Sequence, residues 1–212
     1  MHRAVLAAIV AVLTASTAAT AAQAPKPSLL RPATLNAKAP AVYRVAFKTT
    51  KGTFIVTVHR AWAPRGADRF YNLVRNRFYD DVSFFRVVPG FVVQFGISSK
   101  PAIAQLWANA NIRDDPVKHA NTRGTLTFAD AGPNTRSTQV FVNLGDNSRL
   151  DKLGFAPFGE VTSGMPVIGK LYSGYGEQPT SAQQQMVDQG KAFLEQNFPR
   201  LDSILTARVV RR

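Results

Sequence analysis

The sequence predicts a mainly β domain, folded as an antiparallel barrel or sandwich, and three observations indicate this fold class. Eight short apolar runs are spread from residue 42 to residue 210, and turn residues separate them. The length of 212 residues suits a single domain. A hydrophobic content of 45%, with 14 phenylalanines, provides enough apolar side chains for a core.

The first two runs predict a β-hairpin. In "VYRVAFK" the residues Tyr43, Val45 and Phe47 fall on one side of an extended chain. In "TFIVTVHR", which follows the turn sequence "TTKG", every second residue from Phe54 to Val58 is again apolar. This alternation is typical of strands with one buried face, and a short turn with glycine can close the hairpin.

Six later apolar runs predict the remaining strands. They are Val82–Val88, Phe91–Ile97, Gly124–Phe128, Val140–Leu144, Phe158–Val161 and Ile204–Val210.

Three segments predict helices. Pro64 suits the first turn of a helix, and apolar residues recur after it at helical spacing. A short helix is predicted at Pro166–Leu171, and a longer one at residues 182–198, which ends before Pro199.

The N-terminus predicts export. Residues 1–22 are typical of a signal peptide: Arg3 is followed by an apolar run and then by small residues. The apolar run is far shorter than the roughly 20 residues that span a bilayer. We therefore expect a periplasmic or secreted protein with no stable membrane anchor. Residues 23–41, rich in proline and alanine, predict an extended and mobile tether, which leaves residues 42–212 as the domain.

The excess of basic residues could indicate that the protein binds nucleic acid. Lys and Arg outnumber Asp and Glu by 26 to 13, which gives a net charge of +13. The basic residues are scattered, however, so we expect a solvated basic surface and no nucleic-acid partner. We also expect a monomer. The absence of cysteine excludes disulfides, a catalytic thiol and a thiolate zinc site.

Two local patterns resemble catalytic or binding motifs without meeting their requirements. The sequence "GMPVIGKL" at 164–171 approaches a phosphate-binding loop, but Leu171 stands where a Ser or Thr must hold magnesium, and Pro166 removes an amide donor. His59 and His119 are isolated and do not make a zinc site without further ligands. We expect no metal.

A third pattern places two polar residues in an otherwise apolar run. In "FFRVVPGFVVQFG", residues 84–96, the polar residues are Arg86 and Gln94. A core strand rarely keeps such side chains unless each has something to bind. Two further segments accompany it: "TFADAGPNTRSTQVFVNLGDN" from Thr127 and "LDKLGFAPFGEV" from Leu150.

Together these three segments resemble the cyclophilin family of peptidyl-prolyl cis–trans isomerases. The first is similar to the family pattern Phe-His-Arg-Val-Ile-Pro-Gly-Phe-Met-x-Gln-Gly-Gly, the second to Ala-x-Ala-Gly-Pro-Asn-Thr-x-x-Ser-Gln-Phe-Phe, and the third to the closing Val-Phe-Gly strand. The resemblance covers about residues 42–172, with a last strand near 204–210. It implies a closed eight-stranded antiparallel barrel capped by helices, with the helix at 182–198 as an extra C-terminal element. It also implies no cofactor, and proline-containing unfolded or partly folded polypeptides as partners.

The resemblance gives Arg86 a role that physical chemistry supports. Rotation about an X-Pro bond faces a barrier of roughly 18–20 kcal/mol, because the bond has partial double-bond character. A fixed cation and hydrogen-bond donor beside the prolyl nitrogen favours the twisted state over the planar ones. Arginine keeps its charge at any relevant pH and offers a rigid fork of donors.

The other site residues follow from the same resemblance. It implies that Gln94 holds Arg86 and is catalytic with it, that Arg149 lies at the rim of the site, and that eight residues bind substrate. The eight are Phe91, Val92, Ala129, Asp130, Gln139, Phe141, Leu150 and Phe155.

Several positions depart from the family pattern. Phe85 replaces a histidine, Phe95 replaces a glycine and Asp130 replaces an asparagine, while Val92 is smaller than the usual methionine. Arg149 falls where eukaryotic members have a tryptophan. We expect these changes to alter substrate preference and sensitivity to cyclosporin, the cyclic peptide that inhibits many members.

Two other functions remain as alternatives to an exported isomerase. One is a cyclophilin-shaped chaperone that binds proline-containing segments with little or no catalysis. The other is a basic surface protein that binds anionic polymers. The Arg86–Gln94 pair favours the enzyme, because a protein without turnover has no physical need of an arginine beside an apolar pocket.

Overall fold

The computed structural model describes Met1 and residues 28–210. The signal peptide predicted at residues 1–22, and the first part of the predicted tether, lie outside the described residues apart from Met1.

Residues 28–210 contain eight strands and five α-helices. The strands are β1 Val42–Thr49, β2 Gly52–His59, β3 Arg86–Val88, β4 Val92–Phe95, β5 Thr125–Phe128, β6 Val140–Asn143, β7 Pro157–Ser163 and β8 Ile204–Val210. The helices are α1 Pro64–Arg75, α2 Pro101–Ala108, α3 Met165–Ile168, α4 Gln183–Gln189 and α5 Lys191–Asn197, and short 3-10 helices lie at Pro32–Thr34, Ser148–Leu153 and Gln178–Ala182. The eight predicted strands and the mainly β fold class are confirmed.

All eight strands form one antiparallel sheet in the order β3-β4-β6-β5-β7-β2-β1-β8. The predicted β1–β2 hairpin is present, with Tyr43 opposite Val58 and Phe47 opposite Phe54. The inward side chains of these strands are wholly buried, as the alternation predicted. Phe47 and Phe54 stack at the centre of the core with ring centroids 4.7 Å apart.

The prediction of a closed barrel is wrong. The sheet is an open half-barrel, and β3 and β8 form its two edges. Within residues 28–210, the two edges meet only at an isolated bridge between Ser83 and Ser203, just before each strand begins. The next donor on the β3 side, the backbone N–H of Val87, is directed to the carbonyl of Gly176 at 3.4 Å. A loop therefore takes the hydrogen-bonding position that β8 would occupy in a closed barrel.

The C-terminal helix expected at residues 182–198 is two helices. Gly190 separates α4 from α5 with φ +62° and ψ −142°, a conformation outside the helical region. A Cβ atom there would lie 2.4 Å from the carbonyl oxygen of Ser99, so only glycine allows this close approach. The segment before Pro101 thus breaks the helix. Helix α2, which begins at Pro101, was not predicted from the sequence.

Residues 28–41 lie against the domain, in contrast to the mobile tether expected for this segment. The indole Nε1–H of Trp107 donates to the carbonyl of Leu29 at 2.8 Å. Asn72 exchanges two hydrogen bonds with the backbone of Ala37, and the backbone N–H of Ala39 donates to Asp68 at 2.9 Å. These contacts fix the segment to α1 and α2. Among the described residues, no helix has both the length and the apolar character that a membrane span requires.

Candidate active site

The hairpin of β3 and β4 brings the two predicted catalytic residues together. Arg86 begins β3 and lies directly opposite Gln94 in β4, so both side chains leave the same face of the sheet. Nη1 of Arg86 donates a hydrogen bond to Oε1 of Gln94 at 3.3 Å. Gln94 is buried, which restricts its amide to a few orientations.

Two further contacts and one buried donor define the surroundings of Arg86. Its guanidinium carbon lies 5.1 Å from the centroid of the Phe91 ring, within cation–π range. Its Nη2 forms an ion pair with Glu177, from the segment before α4. Its Nε is buried and has no hydrogen-bond partner among the described residues. The cation is thus held on several sides, while its buried Nε–H has no partner in the part of the chain that the structure describes.

A pocket of about 300 Å³ opens beside Arg86 and contains most of the predicted site. The predicted residues that line it are Arg86, Phe91, Val92, Gln94, Ala129, Asp130, Phe141, Leu150 and Phe155, and Thr180 and Gln183 complete the wall. Phe141 lies opposite Gln94 across β4 and β6. Its ring meets that of Phe155 edge to face, with centroids 5.8 Å apart. One wall is therefore aromatic and the other carries the cation.

Two predicted residues stand next to this pocket rather than in its wall. Gln139 accepts a hydrogen bond from Nε2 of Gln94 at 2.9 Å and lines a neighbouring pocket of about 220 Å³. Arg149 is exposed at the rim, with its guanidinium carbon 4.8 Å from the centroid of the Phe91 ring. The structure therefore brings every predicted site residue to one region of the surface.

The strand segment at Ala129 and Asp130 provides backbone groups and one perturbed carboxyl. The backbone N–H of Ala129 donates to the carbonyl of Gln139 at 3.0 Å, which continues the pairing of β5 with β6. Partial burial raises the pKa of the Asp130 carboxyl above its ordinary value, and a hydrogen bond from the backbone N–H of Gly132 opposes this shift. A negative charge at this position is thus disfavoured by desolvation.

A buried polar network supports the pocket wall from below. Nδ2 of Asn147 donates to the carbonyl of Phe91 at 2.9 Å and to Oδ1 of Asn143 at 2.8 Å. Asn143 in turn donates to Asn121, whose own Nδ2 donates to the carbonyl of Phe155. The three asparagines are fully or almost fully buried. They fix the backbone of two aromatic residues that line the pocket.

The departure at Phe95 has a structural explanation. Phe95 points into the core and meets Phe47 and Tyr79 edge to face. The next residue, Gly96, has φ +118°, and a Cβ atom on it would lie 2.4 Å from the carbonyl oxygen of Thr138. The close approach of the chain after β4 to the segment just before β6 therefore needs glycine at 96 and not at 95.

Sequence reasoning missed three side chains at the site, namely Glu177, Thr180 and Gln183. They belong to the polar segment "GEQPTSAQQQ" at residues 176–185. Its apolar residues do not recur at a regular spacing, and it matches no catalytic pattern. Within the described residues, no group of three or more His, Asp or Glu side chains comes together as a metal site would require.

Comparisons with known proteins agree with this fold. The sequence pattern of the family described as "Cyclophilin type peptidyl-prolyl cis-trans isomerase/CLD" matches residues 44–190. A peptidyl-prolyl cis-trans isomerase of Acinetobacter baylyi is 34% identical over 143 residues, which are 65% of this chain and 76% of that protein. A peptidyl-prolyl cis-trans isomerase-like 1 protein of Aspergillus oryzae is 34% identical over 152 residues, which are 69% of this chain and 90% of that protein.

A solved structure shares the fold. The cyclophilin type peptidyl-prolyl cis-trans isomerase of Cryptosporidium parvum superposes with a TM-score of 0.60 at 17% identity, covering 81% of this chain and 99% of that one. A second structure of that protein, determined in the presence of the dipeptide Ala-Pro, gives a TM-score of 0.59.

The open antiparallel sheet and the apolar pocket with its arginine define a protein of the cyclophilin fold. The chain belongs to the cyclophilin-type peptidyl-prolyl cis–trans isomerase family. The enzyme class predicted from the sequence, an isomerase of the peptide bond before proline, is confirmed.

Proposed function

We propose that this pocket accelerates rotation about X-Pro bonds in polypeptides that fold after export, and that the protein works as a monomer without a cofactor. The observation that carries the proposal is the position of Arg86. Its guanidinium borders an apolar pocket, and Gln94 and the Phe91 ring hold it there.

The apolar wall accounts for recognition of proline. A proline ring can pack against Phe91, Phe141 and Leu150, and burial of its apolar surface contributes roughly 25 cal/mol per Å². The preceding residues can run along Ala129 and Asp130, where the chain leaves the sheet. Binding then depends on backbone contacts and one ring, which suits unfolded polypeptides of varied sequence.

Arg86 accounts for the rate. As the X-Pro bond twists, conjugation is lost and the lone pair returns to the prolyl nitrogen. A donor directed at this nitrogen, or at the carbonyl of the proline, interacts more strongly with the twisted state than with either planar state. The Arg86 side chain lines the pocket and is 23% exposed, so its guanidinium can donate to a bound peptide. The reaction forms no covalent intermediate and transfers no proton to the protein.

A prolyl-isomerisation assay on residues 23–212 tests the activity. We expect the wild type to accelerate cis–trans exchange of an Ala-Pro peptide, and Arg86→Ala to lower kcat/KM by about 100-fold, the scale of losing one preorganised donor. Its melting temperature should change little, because the guanidinium is partly exposed. An Arg86→Ala variant with full activity would contradict the assignment, and peptide binding without turnover in the wild type would favour the chaperone alternative.

The location is proposed on the sequence of residues 1–22. The basic start and the short apolar run support export through a cleaved leader. Fractionation of cells that express the full chain, with N-terminal sequencing of the product, tests this. We expect a product outside the cytoplasm that begins near residue 22 or 23; an uncleaved cytoplasmic product would contradict the proposal.

A further inference from the structure

Two side chains of one short segment contact the two ends of the polar network that contains Arg86. Glu177 and Gln183 flank the 3-10 helix Gln178–Ala182, and neither was predicted as a site residue. Glu177 pairs with Nη2 of Arg86. Gln183 is connected to Nη1 of the same guanidinium through two other side chains. The segment thus reaches the catalytic cation at both of its terminal nitrogens.

The network from Nη1 has a single possible direction. Arginine can only donate, so Gln94 must present Oε1 to Arg86. The Nε2 group of Gln94 then donates to Oε1 of Gln139 at 2.9 Å. Nε2 of Gln139 donates to Oε1 of Gln183, also at 2.9 Å. Each amide orientation therefore follows from the one before it, and Gln183 accepts the last hydrogen bond through Oε1.

The ion pair with Glu177 is too exposed to serve mainly for stability. The Glu177 side chain is 59% exposed and that of Arg86 is 23% exposed. Ion pairs of this kind contribute at most about 1 kcal/mol to folding. The ion pair matters more for the position of the guanidinium. A guanidinium held at only one terminal nitrogen can rotate about the bonds of its long side chain.

We propose that Glu177 and Gln183 are positioning residues of the isomerase, which together fix the plane of the Arg86 guanidinium at the pocket. This inference rests on the proposed function and assigns a role to the segment 177–183 within it. A displacement of about 1 Å in a catalytic group can cost up to about 100-fold in rate. The segment acts on the chemistry through Arg86 and not through contact with the reacting bond.

Glu177 is tested by separating kcat from peptide affinity. Glu177→Ala should lower kcat about tenfold, while the Kd for an Ala-Pro peptide changes less than about twofold. Glu195→Ala is the matched control, because Glu195 is an exposed carboxylate that pairs with Lys191 and does not line the pocket beside Arg86. In an Arg86→Ala background, Glu177→Ala should have no further effect, since its partner is gone.

Gln183 is tested by reversing the direction of the network. Gln183→Lys replaces the terminal acceptor by a donor, which sets two donors against each other at Gln139 and should lower kcat about tenfold. Gln183→Glu keeps an acceptor at this position, so its kcat should fall far less than that of Gln183→Lys. Gln185→Lys adds the same charge at an exposed neighbouring position of α4 and controls for electrostatics.

The outcomes distinguish this inference from the function on which it rests. An inactive wild type would overturn both. If wild type is active and Arg86→Ala is impaired, but Glu177→Ala and Gln183→Lys retain full kcat, the inference alone is overturned. A faster Glu177→Ala variant would also overturn it, because Glu177 would then compete with substrate for Arg86. An equal loss in the Arg86→Ala background would show a merely structural role.

Discussion

The guanidinium of Arg149 covers the outer side of the pocket wall at Phe91, with its Cζ atom 4.8 Å from the ring centroid. The same guanidinium donates through Nη1 to Oδ1 of Asn147 at 3.2 Å. A cation therefore stands at the rim on an aromatic residue, and a buried asparagine helps to hold it there.

This rim predicts weak inhibition by cyclosporin. The apolar macrocycle would have to desolvate Arg149 without offering a counter-charge, and Val92 provides less contact area than methionine, at about 25 cal/mol per Å² lost. Titration of cyclosporin into the isomerase assay measures the effect. Arg149→Trp should gain sensitivity while catalysis is retained, because proline binds deeper in the pocket. Potent inhibition of the wild type would show that a cation at the rim does not exclude the macrocycle.

The rate should be nearly independent of pH between about 6 and 9. Arg86 keeps its charge throughout this range, and no histidine lines the described pocket. An enzyme that uses a general acid and base would instead give a bell-shaped profile. The profile of kcat/KM in buffers of constant ionic strength provides the measurement, and a sharp maximum near neutrality would indicate a different mechanism.

Asp130→Asn should stabilise the fold at neutral pH. Burial raises the pKa of Asp130 in the folded protein, so the native state holds its proton to higher pH than the unfolded chain does. The stability of the wild type therefore falls as pH rises from the ordinary aspartate pKa through the raised one, and asparagine has no such dependence. Urea denaturation should show a gain for Asp130→Asn at pH 7 that disappears near pH 3. A gain that is equal at both values would point to a cause other than ionisation.

Gly96→Ala should be among the most destabilising single changes in the site. The new Cβ would meet the carbonyl of Thr138 at 2.4 Å, in addition to the strain of φ +118°. We expect the free energy of unfolding to fall by at least about 3 kcal/mol.

Gly132→Ala is the matched control for Gly96→Ala. Gly132 has a similar φ of +125°, but no atom lies within 4 Å of the position of its Cβ. Gly132→Ala should lower the free energy of unfolding only through backbone strain, by about 1–2 kcal/mol. Equal losses in the two variants, measured by chemical denaturation, would show that the contact with Thr138 adds nothing.

The sequence predicted the strands well because their patterns are local. Alternation located β1 and β2 within a residue or two, and the ends of β8 agree with the predicted run. Closure of the sheet was not predictable in this way. It depends on which group accepts the N–H of Val87, and the acceptor is a loop carbonyl at Gly176, distant in sequence. The break at Gly190 likewise arises from contact with the segment at Ser99.

The residues of the candidate site were likewise predictable only in part. Arg86 and Gln94 could be recognised because polar residues in an apolar strand are conspicuous, and their pairing follows from a tight hairpin. Glu177 and Gln183 could not be recognised, since polar residues in a polar segment give no signal. Their place at the pocket is set by the path of the chain from α3 to α4.

The contacts of residues 28–41 show that the packed structure extends beyond the region that the family pattern matches. The family pattern begins at residue 44, yet the indole N–H of Trp107 and the amide of Asn72 find acceptors before that point, in the backbone of Leu29 and Ala37. Both side chains are almost completely buried. A domain boundary drawn at the shared region would cut through these hydrogen bonds and leave polar groups of two helices without partners.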